Sequence, residues 1–174
     1  MKNDPILCGV TEVLRQGEIL LGSLSDGSYT KHLPQAFNAT IGGHYRHCLD
    51  HFQSLIDAFD ADELNYDNRR RDPRIENSRA FALGETRRIF TACHDIPSEW
   101  LTRPVRVRSK VSYGDEDAPV ALSTLGRELM YAVAHAIHHY ALIGVMCGML
   151  DVPVPSGFGV APSTLKHLAQ LNAA

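Results

Sequence analysis

The sequence contains few cysteines, and they are not arranged in a motif. The four residues Cys8, Cys48, Cys93 and Cys147 are widely separated and form no C-x-x-C pair. This spacing favours reduced thiols over a disulfide framework. Cys48 and Cys147 fall within apolar helical patterns, so we expect them to be small core residues.

The chain also lacks a strong excess of charge of either sign. Its formal net charge is −3, which gives no electrostatic reason to expect nucleic acid or an anionic membrane as a partner. The one basic run, NRRRDPR at residues 68–74, is interpreted as the solvated approach to a helix. The N-terminal segment has no basic-then-apolar signal peptide pattern, and we therefore expect a cytoplasmic location.

Repeats and low-complexity segments are absent as well. A length of 174 residues with 44% hydrophobic and 21% charged residues is ordinary for one globular domain. We expect a single domain over residues 1–174, long enough to bury most of its apolar side chains.

The longest apolar stretch, RELMYAVAHAIHHYALIGVMCGMLD, extends from Arg127 to Asp151. It is nearly long enough to span a bilayer, but its three histidines favour a buried bundle helix. His135 and His139 are four residues apart, which places them on one helix face about 6 Å apart along the axis. Such a pair can bind one metal ion. Paired histidines also occur as surface residues or hydrogen-bonded core residues, and this stretch alone favours neither interpretation.

A second helix is predicted from about Thr40 to Phe59, with Thr40 as its N-cap. His44, His47 and His51 lie along one side of it, beside the apolar stripe. Three histidines in this position are unusual for packing alone, so the helix is the natural source of a third ligand. A helical wheel favours His44 or His51 over His47, and the choice stays open at this point.

The remaining patterns complete a helical architecture. A first helix is predicted over about residues 5–23, and a third begins at Asp72-Pro73, where Asp can cap and Pro suits the first position. Residues 105–113 alternate apolar and polar side chains and can pair with residues 119–122 as a short β-hairpin. One short helix can follow Pro162. The predicted fold class is all-α: a four-helix bundle with long connections.

Two strings resemble motifs of the DinB-like (YfiT-type) four-helix-bundle metalloproteins. TIGGHYRHCLDH is similar to their second-helix motif, and AHAIHHYALIGVMCGML is similar to their fourth-helix H-x-x-H-H motif. The resemblance implies metal ligation by His47, His135 and His139, with His51 as the substitute for His47. It also implies a homodimer, and either a metal-dependent hydrolase or a transferase or isomerase that uses a low-molecular-weight thiol.

Three histidine ligands would leave at least one coordination position for water or a substrate. Structural zinc sites usually have four protein ligands, so an open site indicates chemistry or ligand capture. Imidazole suits zinc, nickel, copper and iron, and the expected cofactor is a divalent transition metal of unspecified identity. The expected partner is a small-molecule substrate.

Glu128 is the candidate general acid or base, because it lies seven residues before His135 on the same helical stripe. It could instead be a helix-start residue that complements the helix dipole. Asp50 could orient a ligating imidazole by accepting its hydrogen bond. The alternative function is a non-catalytic bundle in which metal or buried histidines are structural, with a stress-response or partner-binding role.

Overall fold

The structure is a computed structural model that describes residues 4–59, 61, 63–114 and 116–173. This part of the chain is mostly helical, and the predicted all-α fold class with a small β-hairpin is confirmed. The helices are α1 (Pro5–Ser23), α2 (Asp26–Thr30), α3 (Ile41–Asp57), α4 (Pro73–Asn77), α5 (Arg79–His94), α6 (Leu125–Met149) and α7 (Pro162–Leu171). The strands are β1 (Glu63–Asn65), β2 (Pro104–Arg108) and β3 (Val120–Thr124).

Four helices, α1, α3, α5 and α6, pack side by side and enclose the core. Each begins at a residue whose side chain accepts a backbone N–H of the first turn: Asp4, Thr40, Ser78 and Thr124. Capping of this kind satisfies donors that the helix itself leaves without partners. The predicted start of the second helix at Thr40 is confirmed, and its Oγ1 accepts the Gly43 N–H at 2.8 Å.

The start of α3 lies very close to α4. A Cβ atom on Gly42 would collide with the backbone oxygen of Glu76 and would lie 2.9 Å from the Tyr29 ring. The Tyr29 hydroxyl donates to the Ile75 carbonyl oxygen at 2.7 Å and fixes α4 against the bundle. Glycine at position 42 therefore allows the segment before α5 to cross the first turn of α3.

The three strands form one small sheet in the order β1-β2-β3. The predicted hairpin is present, since β2 and β3 are antiparallel with Val105 opposite Ser123. β1 pairs with β2 in parallel, with Leu64 opposite Val107. This pairing holds the polar connection after α3 against the bundle.

α6 has two different faces. One face is buried against α1 and α3 through residues such as Leu129, Ala136, Tyr140 and Ile143. The other exposes apolar side chains, including Val145 at 59% and Met149 at 46%. By length and composition alone, α6 could cross a membrane, which many core helices of soluble proteins could also do.

Candidate metal site

Packing of α3 against α6 brings histidines from both helices into one cluster. His47 Nε2 and His135 Nε2 are 2.8 Å apart, and the ring centroids of His47 and His139 are 4.6 Å apart. Each of the three offers a ligand nitrogen, and these nitrogens all lie within 4.8 Å of one another. The structure thus brings together the three histidines that were predicted to be metal ligands.

The other two histidines of α3 flank this group. His44 Nδ1 lies 3.0 Å from His139 Nδ1, so one donates to the other and His139 keeps Nε2 available for a metal ion. His51 Nδ1 donates to the His47 carbonyl oxygen at 2.9 Å, and its ring centroid lies 4.1 Å from that of His135. A hydrogen bond to the second ring nitrogen is the usual way in which proteins orient a ligating imidazole. His44 has that geometry toward His139.

The histidines of the cluster are neutral at physiological pH. Burial, and to a smaller extent the neighbouring His51 and His139, lowers the pKa of His47 to about 3. Burial likewise lowers the pKa of His135, His139 and His51 to about 4 each. A neutral imidazole keeps a lone pair for a metal ion, so protons compete weakly for this site above pH 5.

The three nitrogens fit a divalent transition metal after a small adjustment. Metal–nitrogen bonds of about 2.0–2.1 Å in tetrahedral geometry place neighbouring ligand nitrogens roughly 3.3 Å apart. The 2.8 Å separation of His47 and His135 is somewhat shorter than this. Rotation of the two half-buried rings by a few tenths of an ångström at Nε2 would accommodate an ion.

Glu128 lies in the first turn of α6 and is held by two hydroxyl groups. Tyr66 donates to Oε2 at 2.9 Å and Ser123 donates to Oε1 at 2.6 Å. The carboxylate is buried, with 8% of the residue exposed. Both carboxylate oxygens already accept hydrogen bonds. Glu128 therefore links β3 and the loop that contains Tyr66 to the first turn of α6. A role of Glu128 as a general acid or base stays a prediction.

A cleft of about 380 Å³ opens beside the cluster, lined by residues that include His32, His44, Arg46, His47, Glu76 and His139. Arg46 Nη1 is 2.8 Å from Glu76 Oε2, and Arg46 Nε is 3.9 Å from Asp50 Oδ2. Burial raises the pKa of Asp50, while Arg46 lowers it. Asp50 therefore lies toward Arg46, and the adjacent His51 donates from Nδ1 to the His47 carbonyl oxygen.

Part of the chain matches a curated protein. A curated protein from Rhizopus delemar, named FK506-binding protein 5, is 39% identical to this chain over 105 residues. The match covers 60% of this chain and 27% of that protein, so the chain corresponds to about a quarter of the relative's length. No family model matches the chain. No solved structure matches it.

These findings correct the assignment made from the resemblance. The identification as a DinB-like protein is wrong, because the relative that matches carries the name FK506-binding protein 5. The functions that followed from it, a metal-dependent hydrolase or a thiol-dependent transferase, are overturned by the same match. The alternative of a non-catalytic bundle with a structural metal and a stress-response or partner-binding role has no support either. The convergence of His47, His135 and His139 in the structure does not depend on that assignment.

Three residues beside the cluster were not predicted from the sequence. The Tyr66 ring centroid lies 5.2 Å from that of His51, and the Tyr131 centroid lies 5.7 Å from that of His135. Arg69 acts electrostatically on both histidines and donates to the Tyr66 carbonyl oxygen at 2.6 Å. Tyr131 could have been found, since it lies one turn before His135 on α6. Tyr66 and Arg69 lie in a loop, where periodicity gives no signal.

Proposed function

We propose that this chain binds a divalent transition metal ion through His47, His135 and His139. The observation that carries the proposal is the convergence of three neutral imidazoles from two packed helices, with all ligand nitrogens within 4.8 Å of one another. Imidazole nitrogens at this spacing are suitable ligands for zinc, nickel, copper or iron. The function proposed is reversible binding of the metal.

Three protein ligands would leave a coordination position for an external molecule. The cleft of about 380 Å³ reaches His47 and His139, and it gives a small ligand access to that position. The bound ion would supply a Lewis acid there, and the chain's own residues would hold the ion, exclude part of the solvent and orient the imidazoles. The small-molecule partner expected from the sequence stays a prediction.

The test is a calorimetric titration of protein purified without a histidine tag. We expect one zinc, nickel or cobalt ion per chain, and His47→Ala, His135→Ala and His139→Ala should each weaken binding at least 100-fold. His44→Ala should weaken it about 10-fold, in the range seen for residues that orient a ligand. His32→Ala is the matched control, because His32 lies at the cleft edge with its Nδ1 bonded to the Asn38 carbonyl oxygen.

Two results would contradict the proposal. One is the absence of stoichiometric binding for all three ions by the folded protein. The other is binding that persists unchanged in the three ligand variants, since that would locate the ion elsewhere on the chain.

A second candidate function is binding of FK506, since the relative is named as a protein that binds it. The observation that favours it here is an apolar groove of about 450 Å³ between α1, α6 and the start of α7, lined by residues such as Ile6, Met130, Val133 and Ile137. Largely apolar grooves of this size suit small ligands. Titration with FK506 tests it: the candidate requires saturable binding that Val133→Glu abolishes in a folded protein.

A further inference from the structure

Arg69 differs from most arginines of the described chain in having no carboxylate partner among the described residues. Its Nε is buried and has no hydrogen-bond partner among the described residues, while Nη1 donates to the Tyr66 carbonyl oxygen. Asp50 and Asp67 attract its charge. Neither is paired with it, since Asp50 lies beside Arg46 and Asp67 Oδ2 accepts the Lys110 N–H. A half-buried guanidinium thus keeps donor capacity that no group in the described part of the chain uses.

The loop that carries this guanidinium packs against the histidine cluster. Tyr66, to which it is bonded, has its ring centroid 5.2 Å from that of His51 and 5.4 Å from that of Tyr131, and Tyr131 in turn contacts His135. Its positive charge acts on His47, His51 and His135. Within the basic run, Arg69 is partly buried, whereas its neighbour Arg70 is exposed and paired with Asp57.

Charge balance connects these observations. Three neutral imidazoles would leave the two positive charges of a divalent ion uncompensated, and a nearby guanidinium would add a third. Like charges in a partly buried site repel one another more strongly than in water. An anion that contacts both cations would remove this repulsion, and carboxylates and phosphates match the paired donors of arginine.

We infer that the external ligand of this site is a small oxyanion, a carboxylate or phosphate, held between the metal ion and Arg69. This inference rests on the proposed metal binding and specifies the ligand class of the same site. Its oxygen would occupy the position that the three histidines leave open. A second oxygen would accept from Arg69, whose guanidinium would act as the specificity-determining group.

The experiment uses the full chain loaded with Co²⁺, whose visible spectrum reports the ligands of the ion. Titration with acetate and, separately, with inorganic phosphate should change the spectrum of the wild type with saturation. Arg69→Gln should weaken binding of the preferred anion at least 10-fold. Arg70→Gln, which removes the same charge from the adjacent position, should leave anion binding within 2-fold of the wild type. The two anions distinguish a carboxylate ligand from a phosphate ligand.

Coupling between Co²⁺ binding and anion binding gives a second readout. A purely structural role of Arg69 would not produce it. Without anion, Arg69→Gln should bind Co²⁺ at least as tightly as the wild type, because a repelling charge is removed. At an acetate or phosphate concentration that just saturates the wild type, Co²⁺ affinity should rise by a larger factor in the wild type than in Arg69→Gln, because linkage is reciprocal and the variant binds the anion more weakly.

The outcomes separate the two proposals. If Co²⁺ binds and Arg69→Gln responds to both anions as the wild type does, the oxyanion inference is overturned while metal binding stands. If neither anion changes the wild-type spectrum, the inference is overturned as well. Failure of Co²⁺ to bind at all would remove the proposed metal binding and this inference with it.

Discussion

At the scale of single residues, the site depends on histidines that stay neutral. His47, His51, His135 and His139 share a half-buried region between α3 and α6, where burial and mutual proximity disfavour protonation. The helical pattern of the sequence did not determine which histidine of α3 lies with His135 and His139. A helical wheel favoured His44 or His51, whereas in the structure the His47 ring lies close to both α6 histidines, with centroids 4.9 Å from His135 and 4.6 Å from His139.

The lowered pKa values predict a pH dependence of stability without metal. An unfolded chain would protonate these histidines below about pH 6.5, whereas the folded chain resists protonation until about pH 4 or lower. The free energy of unfolding should therefore decrease as the pH falls from 7.0 to 5.0, and this contribution should be constant above pH 7. Urea denaturation of the metal-free protein at both pH values measures it.

The control for this prediction is the double variant His135→Gln/His139→Gln. It should lose less stability than the wild type between pH 7.0 and 5.0, because two of the groups responsible are gone. Equal losses in the two proteins would show that the cluster does not carry the pH dependence.

At the scale of elements, strong periodic patterns predicted the helices that build the site. α1, α3 and α6 were predicted within about two residues, and the hairpin of β2 and β3 was found from its alternation. Short elements were missed: α2 has five residues rich in turn formers, and β1 has three residues whose partner lies far along the chain. The predicted third helix is divided at Ser78, which ends α4 and caps α5.

The contact of α1 with α3 and α6 depends on one glycine. A Cβ atom on Gly17 would collide with the hydroxyl groups of Tyr45 and Tyr140, which are both buried. Gly17→Ala should lower the free energy of unfolding by about 2 kcal/mol, as for other insertions into a packed core. Chemical denaturation monitored by circular dichroism measures this change.

Gly9, in the same helix, supplies the matched control. A Cβ atom there would have no neighbour within 4 Å. Gly9→Ala should therefore stabilise the protein by about 0.5–1 kcal/mol through the helix propensity of alanine. If both substitutions had the same effect, close packing at Gly17 would not be the reason for the glycine.

At the scale of the whole molecule, the chain leaves apolar surface exposed. Leu142, Val145 and Met149 lie on the outer face of α6, and α7 exposes Leu165 and Leu168. Contiguous apolar surface of this kind is typical of a protein interface. A homodimer was expected from the resemblance that proved wrong; we now propose it on the exposed α6 face, which a second copy could cover symmetrically.

Light scattering coupled to size-exclusion chromatography tests the dimer. The wild type should have the mass of two chains, and Val145→Asp should have the mass of one while keeping its helical content. The substitution Arg127→Asp, at an exposed α6 position near the other end of the helix, is the control and should stay dimeric. A wild type that is monomeric at high micromolar concentration would contradict the proposal.

The central claim is that three imidazoles from two helices bind one ion. Anomalous diffraction from crystals of the zinc-loaded protein tests it most directly, because it locates the ion and its ligands together. We expect one strong peak between α3 and α6, about 2.0–2.1 Å from nitrogens of His47, His135 and His139. A peak bound by other side chains, or no peak at this cluster in crystals that contain zinc, would contradict it.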